Sequence, residues 1–69
     1  MTDLQISLAA ARVNANMTQQ DAANAIGVNK GTIISWENGR TAPNAVMLYK
    51  LSEVYRIPIA NIFLPAKLT

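Results

Sequence analysis

Apolar residues recur along this chain at three- and four-residue spacing, and glycine, proline and capping residues interrupt them at short intervals. That pattern predicts a series of short amphipathic helices. A first helix is expected over Thr2 to Asn14, with Leu4, Leu8, Ala11 and Ala15 at helical spacing. Met17 leads into Thr18, an N-cap residue type, and Asp21 three residues later completes a capping box with Asp in place of Glu. The second helix, Gln19 to Ile26, puts Ala22, Ala23 and Ile26 on one stripe, and Gly27 stops it. Asn29 is expected to cap a third helix that runs to about Asn38, with Ile33 and Trp36 facing inward.

Asn38-Gly39 ends that helix, and Pro43 is expected to open a fourth whose inward stripe is Leu48, Leu51, Val54 and Tyr55. Ile57-Pro58 breaks it, because the residue before proline avoids helical angles. A short last helix is expected over Ile59 to Leu64, carrying Ile59, Ile62 and Phe63. No segment alternates cleanly between apolar and polar residues, so the expected fold class is all-α. No linker, repeat or low-complexity tract divides the chain, and residues 1–69 read as one domain.

The segment "MTQQDAANAIGVNKGTIISWENGR" joins its two helices through a tight glycine turn. Ala23 allows a close helix approach, and Val28 and Ile33 fill the angle. The second of these helices turns Asn29, Lys30, Gly31, Thr32 and Ser35 outward near its amino end. Short polar side chains there suit a helix that enters a DNA groove, as in a helix-turn-helix. The spacing alone fits a helical hairpin of a plain bundle equally well.

Composition narrows the chemistry. The chain has 69 residues with no cysteine and no histidine, which excludes disulfide frameworks, Cys/His zinc sites and histidine-based triads. Its acids are Asp3, Asp21, Glu37 and Glu53, with no nucleophile–base set beside them, so no enzyme, metal or cofactor is expected. No apolar run reaches the roughly 20 residues of a membrane span. The first residues lack the basic start of a signal peptide, so a soluble cytoplasmic chain is expected. A net charge of +2 permits an anionic partner without requiring one.

One resemblance sharpens this picture. "TQ" opens the second helix, Ala23 and "IGV" lead through the turn, and Thr32-Ile33, Trp36-Glu37 and Gly39 mark the third helix. Pro43, then Leu48 with Lys50-Leu51, then Ile59 with Ile62-Phe63 follow in order. Together, over about residues 4–64, these marks resemble the Cro/repressor (XRE-type, lambda-repressor-like) helix-turn-helix family.

The resemblance implies a compact five-helix domain whose third helix, about Asn29 to Asn38, lies in the major groove of double-stranded DNA. Base contacts would fall to Lys30, Gly31, Thr32 and Ser35, with Lys30 the strongest base reader through guanine O6 and N7. The bland alternative for Lys30 is a solvated lysine that touches only phosphate. Gly31 offers no side chain, would admit either a thymine methyl or the sugar-phosphate backbone, and costs about 1 kcal/mol of helix stability relative to alanine. Phosphate contacts would come from Gln19, Asn29, Asn38 and Arg40, which set register and carry the salt dependence. Arg12 and Glu37 match a structural ion pair between the first helix and the end of the third.

Two positions depart from the family pattern: Ala22 stands where leucine is usual and Trp36 where isoleucine or leucine is commoner. The indole is expected to fill the space that the missing leucine leaves. Val46, Met47, Ile59 and Leu64 are candidate homodimer contacts, with packing of Met47 under the Thr41–Pro43 loop as the alternative. The implied function is sequence-specific transcriptional regulation, by a phage or bacterial repressor, with no small-molecule ligand. The chain would then be either a whole regulator or the DNA-binding half of a longer one. The competing function is an antitoxin-like interaction module that binds a protein partner. Such a module should lose Lys30, Arg40 and Gln19, all of which are present.

Overall fold

The computed structural model describes residues 5–64. In chain order it contains β1 (Ile6–Ser7), α1 (Leu8–Asn14), α2 (Gln19–Ile26), α3 (Lys30–Asn38), α4 (Ala45–Tyr55), a 3-10 turn (Ile59–Asn61) and β2 (Ile62–Phe63). The fold is thus mainly helical, with four α-helices where five were expected. Among the described residues no helix is long and apolar enough to cross a membrane.

The first helix is shorter than its periodicity suggests. Ser7 has an extended backbone and its hydroxyl accepts the Ala10 N–H at 3.0 Å, so the helix starts at Leu8 rather than near Thr2. Leu4 lies outside the described residues. The expected last helix is also replaced. After the 3-10 turn, Ile62 adopts φ −99° and ψ 125°, and its N–H returns to the Ile59 carbonyl. From there β2 runs parallel to β1, with Ile6 opposite Ile62 and Ser7 opposite Phe63. β-branched and aromatic residues at 62 and 63 favour this extended pairing over a helix that Pro58 has already interrupted.

Pro43 does not open α4. Asn44 is the N-cap, its side chain accepting the Met47 N–H at 2.9 Å, and Pro43 precedes it. Every described α-helix ends at a residue with a distinct conformational role. Gly27 (φ 80°) and Gly39 (φ 78°) take the left-handed geometry that glycine tolerates best. Arg56 takes the same region at φ 58° after α4, and Asn16 at φ 60° follows α1.

All four helices and β2 contribute to one core: Leu8 and Ala11, Ala22, Ala23 and Ile26, Ile33 and Trp36, Leu51 and Tyr55, and Ile62. Ala22 and Ala23 are wholly buried, so α2 meets its neighbours through methyl groups. Trp36 is buried in the same cluster. Val28 is half-buried against that core at the corner between α2 and α3. Leu48 and Val54, expected on the inward stripe of α4, lie half-buried along its margin. α2 packs most extensively against α3 and α4, and this fixes the attitude of α3.

Candidate nucleic-acid interface

The geometry of the α2–α3 unit begins at Thr18. Its hydroxyl accepts the Asp21 N–H at 3.0 Å, while the Asp21 carboxylate accepts the Thr18 N–H at 2.9 Å. The Thr18 backbone N–H, and after it the Thr18 hydroxyl, favour the charged Asp21 carboxyl and lower its pKa. At the other end of α2 the Gly27 and Val28 amides both donate to the Ala23 carbonyl, at 2.9 and 3.0 Å. The chain therefore turns within three residues and delivers Asn29 to the N-cap of α3.

Asn29 holds the N-cap position, but its side chain makes no capping hydrogen bond, contrary to the expected role. Its carbonyl still accepts the Thr32 N–H at 3.0 Å. Lys30 and Gly31 are exposed, and Thr32 and Ser35 are half-buried on the same outward side of the helix. Asn29, Gly31, Thr32, Ser35 and Thr41 line an open concavity of about 570 Å³. Thr41 was not among the residues singled out from the sequence. It arrives there because the Gly39 turn folds the chain back, so that the Arg40 and Thr41 amides donate to the Ser35 carbonyl at 3.0 and 3.5 Å.

The structure thus gathers Asn29, Gly31, Thr32 and Ser35 at one recess, with Lys30 exposed beside it. Asn38 is exposed in the last turn of α3, roughly 12 Å from Lys30 along an axis that rises about 1.5 Å per residue, and Arg40 is exposed just past the Gly39 turn, next to Thr41.

Behind this face lies a polar network. The Arg12 Nε donates to Glu37 Oε2 at 2.7 Å and the second guanidinium nitrogen reaches Oε1 at 3.3 Å. A third Arg12 nitrogen donates to the Met17 carbonyl at 3.0 Å. The side chains of Arg12 and Glu37 are only 14% and 7% exposed. Hydrogen bonding to Glu37 raises the guanidinium pKa above its ordinary value. Gln19, in the first turn of α2, donates its side-chain amide to Glu37 Oε1 at 3.0 Å. One carboxylate on α3 therefore holds α1 and the start of α2, while Arg12 itself holds the α1–α2 loop. Tyr55, from α4, feels the same charges: burial and then Glu37 push its pKa up to about 12, with Arg12 partly opposing.

The candidate dimer residues divide into two pairs. Val46 and Ile59 are exposed, whereas Met47 and Leu64 are half-buried against the core. Among the described residues no cluster of three or more acids, cysteines or histidines stands ready for a metal.

A short helix, a glycine turn and a second helix whose polar side faces outward define a helix-turn-helix, and this chain belongs to the helix-turn-helix family, whose profile matches residues 8–62. The cryptic phage CTXphi transcriptional repressor RstR of Vibrio cholerae is 37% identical over 51 residues, which are 74% of this chain and 46% of the repressor. An uncharacterized HTH-type transcriptional regulator of Archaeoglobus fulgidus is 36% identical over 53 residues, 77% of this chain and 75% of that protein. The type II methyltransferase M1.ScrFI of Lactococcus lactis subsp. cremoris is 37% identical over 60 residues, 83% of this chain but 15% of the enzyme. The chain thus spans less than half of the CTXphi repressor. No solved structure matches the chain.

Proposed function

We propose that this protein is a sequence-specific, double-stranded DNA-binding transcriptional regulator, acting as a repressor in the cytoplasm. One observation carries the reading: the outward face of α3 gathers uncharged hydrogen-bonding side chains at a recess, with exposed cations beyond it on either side. Uncharged donors and acceptors suit base edges, and flanking cations suit phosphates. Lys30, Gly31, Thr32 and Ser35 take the base contacts in this reading. Asn29, Asn38, Arg40 and the amino end of α2 at Gln19 take the phosphates. Gln19 meets DNA through its backbone amide and remaining side-chain oxygen, since its side-chain nitrogen serves Glu37. Similarity to proteins named as a repressor and a regulator supports the same function. Residues 1–69 form one DNA-binding domain with no catalytic role.

Two copies would bind a near-palindromic site, joined through Val46, Met47, Ile59 and Leu64, because a two-fold protein matches a two-fold site. Selection from a pool of random duplexes, read by sequencing and fluorescence anisotropy at two salt concentrations, tests the whole reading. A short near-palindrome is enriched. Lys30→Ala abolishes the preference, while Arg40→Ala weakens binding to all sequences and flattens the salt dependence. Strongly salt-dependent binding with no enriched site overturns it. Sedimentation of Val46→Asp with the enriched duplex tests the dimer: one protomer per duplex supports the assigned contacts, and two protomers overturn them.

A further inference from the structure

The chain has three glycines, and the fold accounts for two of them. Gly27 and Gly39 stand at φ 80° and 78°, where any side chain is strained. Gly31 is different. It lies exposed in the first turn of α3 with no positive φ, and a Cβ built on it meets nothing within 4 Å. Neither the backbone nor the packing of the free protein needs a glycine there. A glycine within a helix also lowers stability relative to alanine. The space over Gly31 is therefore open to a partner molecule.

Its surroundings identify the occupant. Gly31 shares its concavity with Asn29, Thr32, Ser35 and Thr41, which bring amide, hydroxyl and methyl groups but no charge. A lining without arginine or lysine holds a phosphate only through Asn29 and the first-turn amides of α3. It is well matched to a base edge whose bulk is apolar. Among the four bases only thymine presents a methyl group in the major groove, beside an O4 acceptor that a hydroxyl or amide can meet.

We propose that the recess over Gly31 seats the 5-methyl group of a thymine, making Gly31 a specificity-determining residue that acts by leaving room. This inference rests on the DNA-binding reading above and adds to it the base selected at one position. The neighbouring threonine methyl and hydroxyl groups supply apolar and polar contact around that group.

The test pairs Gly31→Ala with replacement of each thymine in the enriched duplex, one at a time, by deoxyuridine, which lacks only the methyl. At one thymine, the parent protein loses about fourfold in affinity on removal of the methyl, the value of one buried methylene-sized group. Gly31→Ala loses roughly tenfold on the thymine duplex, as expected for overpacking, and regains most of that loss on the deoxyuridine duplex. Its melting temperature meanwhile rises by a few degrees, because alanine is the better helix former. That rise separates the binding defect from a folding defect.

Equal losses of Gly31→Ala on thymine and deoxyuridine duplexes overturn the assignment, since the added methyl would then meet DNA backbone or another base. Unchanged affinity of Gly31→Ala for every duplex overturns it too. Failure to enrich any duplex overturns the DNA-reading itself, so the two failures are distinct.

Discussion

Gln19 and Glu37 are joined by a 3.0 Å hydrogen bond from the Gln19 amide to a carboxylate oxygen that Arg12 also reaches. The bond ties the first turn of α2 to the last turn of α3. Since these are the two helices assigned to phosphate and base contacts, Glu37 fastens one to the other as well as neutralising Arg12.

Removing that carboxylate should therefore be felt in both stability and binding. Glu37→Ala leaves a mostly buried guanidinium without its partner and is expected to lower unfolding free energy by about 3 kcal/mol. In the double variant with Arg12→Ala the loss is much less than additive, since the two side chains share one interaction. Urea unfolding of the four proteins measures the coupling, and strict additivity would show that the pair is not energetically linked.

Tyr55 makes alkaline stability informative. Its folded pKa of about 12 exceeds the ordinary 10.0, so the neutral phenol is the form that the fold favours. Its contribution is fully present below about pH 10 and is lost as pH rises toward 12. At about 1.4 kcal/mol per pKa unit the loss amounts to roughly 2–3 kcal/mol. Tyr55→Phe, which cannot ionise, should keep a flatter stability profile across that window in chemical denaturation.

Gly27→Ala and Gly31→Ala should move stability in opposite directions. Both positions have open space around a new Cβ, so the difference is one of backbone angle alone. At Gly27 the left-handed φ costs an alanine about 1–2 kcal/mol. Denaturant midpoints of the two variants check the sign; a stabilised Gly27→Ala would contradict the role assigned to that turn.

Thr18→Ala removes one half of the capping box and is expected to destabilise by about 1 kcal/mol. Asp21 contributes with the opposite pH sense to Tyr55. Its carboxyl pKa is lowered, so its stabilisation is present at neutral pH and fades as the solution is acidified through the carboxylate range. Acid titration of Thr18→Ala should show a weaker fade than the parent protein, because the Asp21 carboxyl has lost one of its two partners.

The parts of this fold that were legible in the sequence are those set by neighbours within four residues. Thr18 with Asp21, Gly27 and Gly39 each act locally, and each stands where the pattern placed it. The start of the first helix is not legible in its periodicity, because Leu4 and Leu8 share helical spacing while the cap is set by the bond of the Ser7 hydroxyl to the Ala10 amide. The β1–β2 pair leaves no mark in the sequence, since Ile6 finds its partner at Ile62, almost a full chain away, and two residues cannot show alternation. At the candidate interface the outward order of Lys30, Gly31, Thr32 and Ser35 follows from helical geometry. Nothing local reveals that the Gln19 amide reaches Glu37, or that Thr41 returns to Ser35.

The parallel pairing of Ile6–Ser7 with Ile62–Phe63 also has a mechanical meaning. Because the strands point the same way, the chain enters along one and leaves along the other in a common direction. Tension applied between the two ends pulls the strands past each other lengthwise. Their backbone hydrogen bonds are then loaded in shear, together, instead of being unzipped one after another, so a four-residue clasp resists stretching better than its size suggests.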